Sequence, residues 1–278
     1  MVLLATTISA HKPAYKLFSE KGKKVNFEKM LAAAVEADVV LFGEQHDDPI
    51  AHWLQYELTI DLFKLKRENL ILGAEMFESD NQLILDEYLA GLISETKFEE
   101  EARIWPNYKT DYKPLVNFAK NHGLEFIATN IPRRYANSVY KQGLAILDSL
   151  SGEALEFISP LPIDYDTTLN CYASLRGGME GHGSVNLADS QASKDATMAH
   201  FILLNVEDGK LLLHFNGAYH SDDFESINYM LKRKNPSLKI VTISNVKQDD
   251  VSEIEEENLG KADFILAVPS SMTKTRTQ

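Results

Sequence analysis

The sequence predicts an α/β protein: a mostly parallel central sheet flanked by helices, with an inserted, mainly helical cap. Two observations carry this. First, four short apolar runs of strand character each end in polar groups. Val39-Val40-Leu41-Phe42 leads into Gly43-Glu44-Gln45-His46, and Leu211-Leu212-Leu213-His214-Phe215 leads into Asn216 and Gly217-Ala218-Tyr219-His220. Leu70-Ile71-Leu72-Gly73-Ala74 ends in Glu75, and Phe126-Ile127-Ala128-Thr129 ends in Asn130. Second, segments of helical period separate these runs, the pattern of a right-handed parallel sheet.

The elements follow in order. Residues 14–18 and 23–25 flank Glu20-Lys21-Gly22, a hairpin whose glycine supplies the turn. Asn26 reads as a helix cap before Phe27, Met30, Leu31 and Ala34. Asp48-Pro49 reads as cap and first residue of a long helix through Leu65. A helix over 81–92 comes next, then an acidic and aromatic stretch, Phe98 to Tyr112, expected to wrap over the strand ends. Leu115, Phe118 and Ala119 mark a helix before the strand at 125–130, and Pro132 opens another, carried through Leu150. From Ser151 to about Ala192, prolines and glycines break the pattern, which marks 151–192 as the inserted cap between 11–150 and 193–278 of the α/β domain. A helix over 189–205, strands at 211–215, 238–244 and 264–268 and a helix over 224–232 complete the chain, and the acidic run 249–257 reads as a solvated loop or helix face.

In an open parallel sheet, ligands gather beyond the carboxyl ends of the strands, so both Gly-x-x-His strings belong on one rim. The glycines are expected to let the chain turn sharply there. Neutral imidazoles of His46 and His220 with the Glu75 or Glu44 carboxylate form a ligand set suited to Zn, Mn or Fe. Without a metal, the same groups can act as general base and electrostatic partner. Asn130 closes the fourth strand, and Arg133 offers a planar fork to an anionic group such as a carboxylate. His11, His52, His122, His200 and His214 read as structural or solvated, and Trp53 and Trp105 as core.

Composition excludes other classes. With 28 Lys and Arg against 41 Asp and Glu, the net charge of −13 repels phosphate backbones, so no nucleic acid is expected. The single cysteine, Cys171, rules out an intrachain disulfide. Dinucleotide, P-loop, nucleophile-elbow and His-Glu-x-x-His signatures are missing. Met1 to Ala10 is apolar and small before the chain turns polar at His11, the pattern of an export-signal remnant ahead of an extracytoplasmic (periplasmic or cell-surface) protein. No other segment approaches the roughly 20 apolar residues of a transmembrane span.

Five ordered motifs, residues 41–48, 74–77, 128–133, 195–199 and 216–220, resemble those of the ChaN-like haem-binding proteins, grouped with the Tiki and TraB proteins and similar in Glu/His pattern to erythromycin esterases. The resemblance runs from about 38 to 245. It implies haem binding linked to iron acquisition, a homodimer sharing haem, and a place for Asp195 in the rim cluster. Haem needs an apolar slot, axial ligands and cations for its propionates. Tyr165, Tyr172, Met179 and His182 of the insertion are the candidates to build that slot, and Arg133 to hold a propionate. The alternative is a metal-dependent or His/Glu-based hydrolase, a peptidase or esterase, on the same scaffold.

Overall fold

A computed structural model describes residues 12–177 and 185–276. The export-signal expectation for 1–10, and Met179 and His182, fall outside the described residues.

Strands β1 (Lys16–Ser19), β2 (Lys24–Val25), β3 (Val39–Glu44), β4 (Leu70–Glu78), β5 (Phe126–Asn130), β6 (Leu211–Gly217), β7 (Ile240–Gln248) and β8 (Phe264–Pro269) form one sheet in the order β2-β1-β8-β7-β3-β6-β4-β5. The six strands from β8 to β5 run parallel, and the β1-β2 hairpin adds an antiparallel edge. Its turn uses Gly22 at φ 73, a left-handed conformation that glycine adopts without strain.

The chain leaves β3, skips one place to β4, adds β5, then returns to insert β6 between β3 and β4 before building outward through β7 and β8. This reversal makes the carboxyl ends of β3, β6 and β4 the switch point where open α/β sheets bind ligands. It also divides the helices. Helices α1 (Phe27–Val35), α2 (Pro49–Lys66), α3 (Gln82–Leu89), α4 (Glu95–Glu101) and α5 (Lys113–His122) lie on one face. Helices α6 (Arg133–Gln142), α7 (Gly152–Leu155), α8 (Asn170–Gly177), α9 (Val185–Asn205) and α10 (Ser226–Lys234) follow along the return path.

Strand alternation feeds both layers. Val40, Phe42 and Leu72 join Leu54, Leu58 and Leu115 in one core, while Val39, Leu41, Ile71 and Leu212 join Ala188, Ala192, Met198 and Leu231 in the other. Burial on both faces is why these strands read as continuous apolar runs.

The caps act as expected: Asn26 accepts from the Lys29 amide, and Asp48 accepts from Ile50 and Ala51 with Pro49 behind it. One expectation is corrected. The helix after Pro132 stops at Gln142, because Gly143 turns at φ 81 into a 3-10 segment over Leu144–Ser149. Helix α9 begins at Val185 and runs unbroken past 192, and Tyr172 of α8 shares a buried core with Val39 and Leu41 of the sheet. Among the described residues, no helix is long and apolar enough to cross a membrane.

Candidate functional site

Two interlocked motifs build the site. A Cβ at Gly43 would come within 2.9 Å of the Ala218 backbone, and a Cβ at Gly217 within 2.8 Å of the His46 ring. Each glycine therefore makes room for the other motif. Gly217 itself has an ordinary φ of −59, so close approach, and not a sharp turn, is its reason for being glycine.

Glu44 ends β3 fully enclosed. Its Oε1 accepts from Tyr112 Oη at 2.6 Å and His46 Nδ1 at 2.9 Å, and its Oε2 accepts from Gln55 Nε2 at 2.6 Å. Burial pushes its pKa up, but His52, His46 and Tyr112 together outweigh that and hold it below the usual carboxylate value. An ionised carboxylate only accepts, so His46 carries its proton on Nδ1 and turns Nε2 toward the cleft. His46 is 43% exposed, and its ring meets the edge of Trp105 with centroids 4.8 Å apart. Burial works to lower its pKa, while the Glu44 bond and the charges of Glu75 and Glu44 prevail and raise it.

Glu75, on β4, receives the Gly217 amide at 2.7 Å on Oε2 and faces His220 Nε2 at 3.3 Å on Oε1. His220 Nδ1 donates to Asp195 Oδ1, whose other oxygen accepts from Tyr172 Oη at 2.8 Å. Against burial, Glu75 and Asp195 push the His220 pKa up to about 10, and His220 in turn holds Glu75 well below its ordinary value. His220 is thus an imidazolium clamped between two carboxylates.

The structure brings Glu44, His46, Glu75, Asp195 and His220 to one rim. Asn130 Nδ2 donates to the Glu75 carbonyl at 3.0 Å, steadying the β4 end. The Arg133 amide donates to Glu78 at 3.0 Å, and Arg133 lines the cleft without an ion-pair partner among the described residues. Lys194 does the same from α9, one turn beyond Gln191 and beside Asp195. Trp105, Tyr219 and Leu175 give the cleft its apolar walls, and its volume is about 480 Å³.

The expected divalent-metal site is not formed. Among the described residues no group of three or more His, Cys, Asp and Glu side chains is arranged to hold a metal ion. His46 Nδ1 and His220 Nδ1 are each paired with a carboxylate, Glu44 and Asp195, and His220 Nε2 faces Glu75 at 3.3 Å.

The insertion's tyrosines also differ from expectation. Tyr172 is fully buried with its hydroxyl committed to Asp195, and Tyr165 donates to Asp189, its pKa pushed up to about 12 by burial and that carboxylate. Tyr172 enters the site by steadying Asp195. Tyr172→Phe should therefore lower stability by about 2 kcal/mol, the scale of a hydrogen bond to a charged group, measured by urea unfolding. A variant as stable as the parent would contradict that role.

Sequence reasoning missed Gln55, Tyr112 and Lys194, and Trp105, read as core, packs against the core and also lines the cleft. The spacing of His52 and Gln55, three apart in the first turns of α2, was the one signal available.

Comparisons with known proteins agree with this fold. The family profile described as "Haem-binding uptake, Tiki superfamily, ChaN" matches residues 30–231, and the chain belongs to that family. Its fold is similar to a solved structure titled "Cofacial heme binding to ChaN of Campylobacter jejuni", at 23% identity and a TM-score of 0.66 over 91% of this chain and 96% of that one. It is also similar to an erythromycin esterase mutant, EreC, in its open conformation, at 13% identity and a TM-score of 0.52 over 93% of this chain and 98% of that one. No curated protein sequence matches.

Proposed function

We propose that this chain binds haem in the cleft at the ends of β3, β4 and β6, and serves haem or iron acquisition outside the cytoplasm. One observation carries the reading: the cleft pairs a half-exposed imidazole, backed by a carboxylate, with two cations that have no ion-pair partner among the described residues. A ligating histidine ordinarily donates its other ring N–H to a carboxylate, as His46 does to Glu44. Arg133 and Lys194 suit two propionates in a protein of net charge −13. The volume of about 480 Å³ lies in the range of cofactor pockets, and Trp105 and Tyr219 offer aromatic surface to a porphyrin. When bound, haem supplies an iron centre; the chain supplies Nε2 of His46, the cations and the apolar walls. The export reading has its support in the apolar stretch Met1 to Ala10, and a homodimer sharing haem in the resemblance to ChaN-like proteins.

Titration of the purified protein with haem should give a saturable Soret band. Arg133→Gln combined with Lys194→Gln should weaken binding about tenfold or more with the band position unchanged, since the cations touch the propionates and not the iron. Tyr172→Phe should leave the spectrum unchanged. A non-saturating titration in the parent would reject the haem reading.

A second reading, a hydrolase, draws on the same residues: Nε2 of His46 is placed to take a proton from water, and the His220 imidazolium lies beside it to stabilise developing negative charge. Ester or peptide turnover by metal-free protein, lost in His46→Ala, would favour it.

A further inference from the structure

His46 is held by more than Glu44. The motif Gly43-Glu44-Gln45-His46 runs directly into the Asp48 cap, so the first turn of α2 begins beneath it. That turn carries His52, and Gln55 follows three residues later on the same helix face. Both are buried, at 6% and 0% exposure.

Their hydrogen bonds form a closed frame. Gln55 Nε2 donates to Glu44 Oε2 at 2.6 Å, which turns its amide oxygen to His52; His52 Nδ1 donates to that oxygen at 3.1 Å and lies 3.5 Å from Glu44 Oε2 itself. On the other side of the ring, Nε2 faces two acceptors, the His46 carbonyl at 3.2 Å and Asp111 Oδ2 at 3.4 Å. Asn107 Nδ2 adds a donor to the same carbonyl at 2.9 Å and to Asp111 at 2.6 Å. The edge of the Tyr112 ring packs against His52 with centroids 5.2 Å apart, and the Tyr112 hydroxyl returns to Glu44.

We infer that His52 is a positioning residue for His46, gripping its main chain directly and its carboxylate partner through Gln55. The two ends of the Glu44–His46 pair are thereby tied to one ring, so the imidazole is kept in a single tautomer with Nε2 toward the cleft. Neither haem ligation nor proton transfer is invoked in this arrangement, although it matters to function through the proposed role of His46. An uncompensated change at His52 leaves the buried Gln55 amide oxygen without its donor, a costly loss, and leaves the His46 carbonyl and Asp111 with Asn107 but without the ring that ties them to Gln55.

The test uses the ligand-free protein, so that its failure is separate from a failure of haem binding. Long-range 1H–15N NMR of the histidine side chains reads the tautomer of His46, assigned by its loss in His46→Ala. At a pH well above the raised pKa of His46, the parent should show one neutral tautomer, protonated at Nδ1. His52→Asn and Gln55→Leu should each yield a mixture of both tautomers. Thr59→Ala is the control: Thr59 is equally buried on α2, but its hydroxyl bonds only the Gln55 carbonyl within the helix, so it should lose stability and keep the parent's tautomer. Should His52→Asn fail to fold, Gln55→Leu carries the comparison. A single Nδ1-protonated tautomer in the folded variants overturns the inference, and so does a mixture that appears equally in Thr59→Ala.

Discussion

Replacing His220 by Asn should lower the stability of this protein by about 3–5 kcal/mol near neutral pH, the cost of removing one partner from a buried ionic cluster. For a chain of this size that is a fall of about 10 °C in the melting temperature. The parent and variant should also respond to pH in different windows. In the parent, the folded pKa of His220 is raised to about 10, so its contribution is complete below the ordinary value near 6.5 and is lost as pH rises through about 10. Glu75, held well below its ordinary value, contributes above about 4.5 and loses that contribution only in strong acid. The clamp is therefore strongest between about pH 4.5 and 6.5. Without the imidazolium, Glu75 and Asp195 are two buried carboxylates in one enclosure, and one of them must take up a proton to relieve the repulsion. The variant should accordingly gain stability as pH falls from 7 toward 5. Thermal melts from pH 5 to 10 test this, and a difference between the two proteins that does not vary with pH would count against a charged clamp.

The parallel sheet was legible because both of its faces are covered: runs such as Val39 to Phe42 and Leu211 to Leu213 are apolar at every position, and turn or cap residues follow them. The rim was legible for a related reason, since a strand end followed by Gly-x-x-His puts polar groups where a switch point collects them. What could not be read was the order of strands, because the insertion of β6 between β3 and β4 depends on contacts far apart in sequence. The same distance hid Tyr112, which reaches Glu44 from 68 residues away, and Lys194, which no local pattern separates from a surface lysine. Gly43 and Gly217 were seen for the wrong reason: their small size matters because the other motif passes within van der Waals contact, a constraint that exists only once both strands lie in one sheet. Tyr172 illustrates the converse error, an aromatic side chain in a glycine-rich neighbourhood that belongs to the core.

If His46 is the axial ligand we propose, His46→Ala should weaken haem binding by more than about 100-fold and shift the Soret band, whereas His182→Phe should leave both unchanged. Glu44→Gln should be intermediate, a loss of about 10–100-fold, because it removes the charge that makes the ligating imidazole more basic and fixes its orientation without removing the ligand itself. The pH dependence separates these roles. Only the deprotonated Nε2 can bind iron, and Glu44 and Glu75 raise the pKa of His46, so affinity in the parent should fall as pH drops through a value above the ordinary 6.5. In Glu44→Gln the hydrogen-bonding carboxylate is gone, the His46 pKa returns toward its ordinary value, and the inflection should move to lower pH even as affinity at high pH declines. A haem titration followed by absorbance at several pH values measures both quantities on the same samples. Loss of the band in His182→Phe with the parent's affinity retained in His46→Ala would move the axial ligand to the insertion, and would leave the Glu44–His46 pair free for the proton-transfer role of the hydrolase reading.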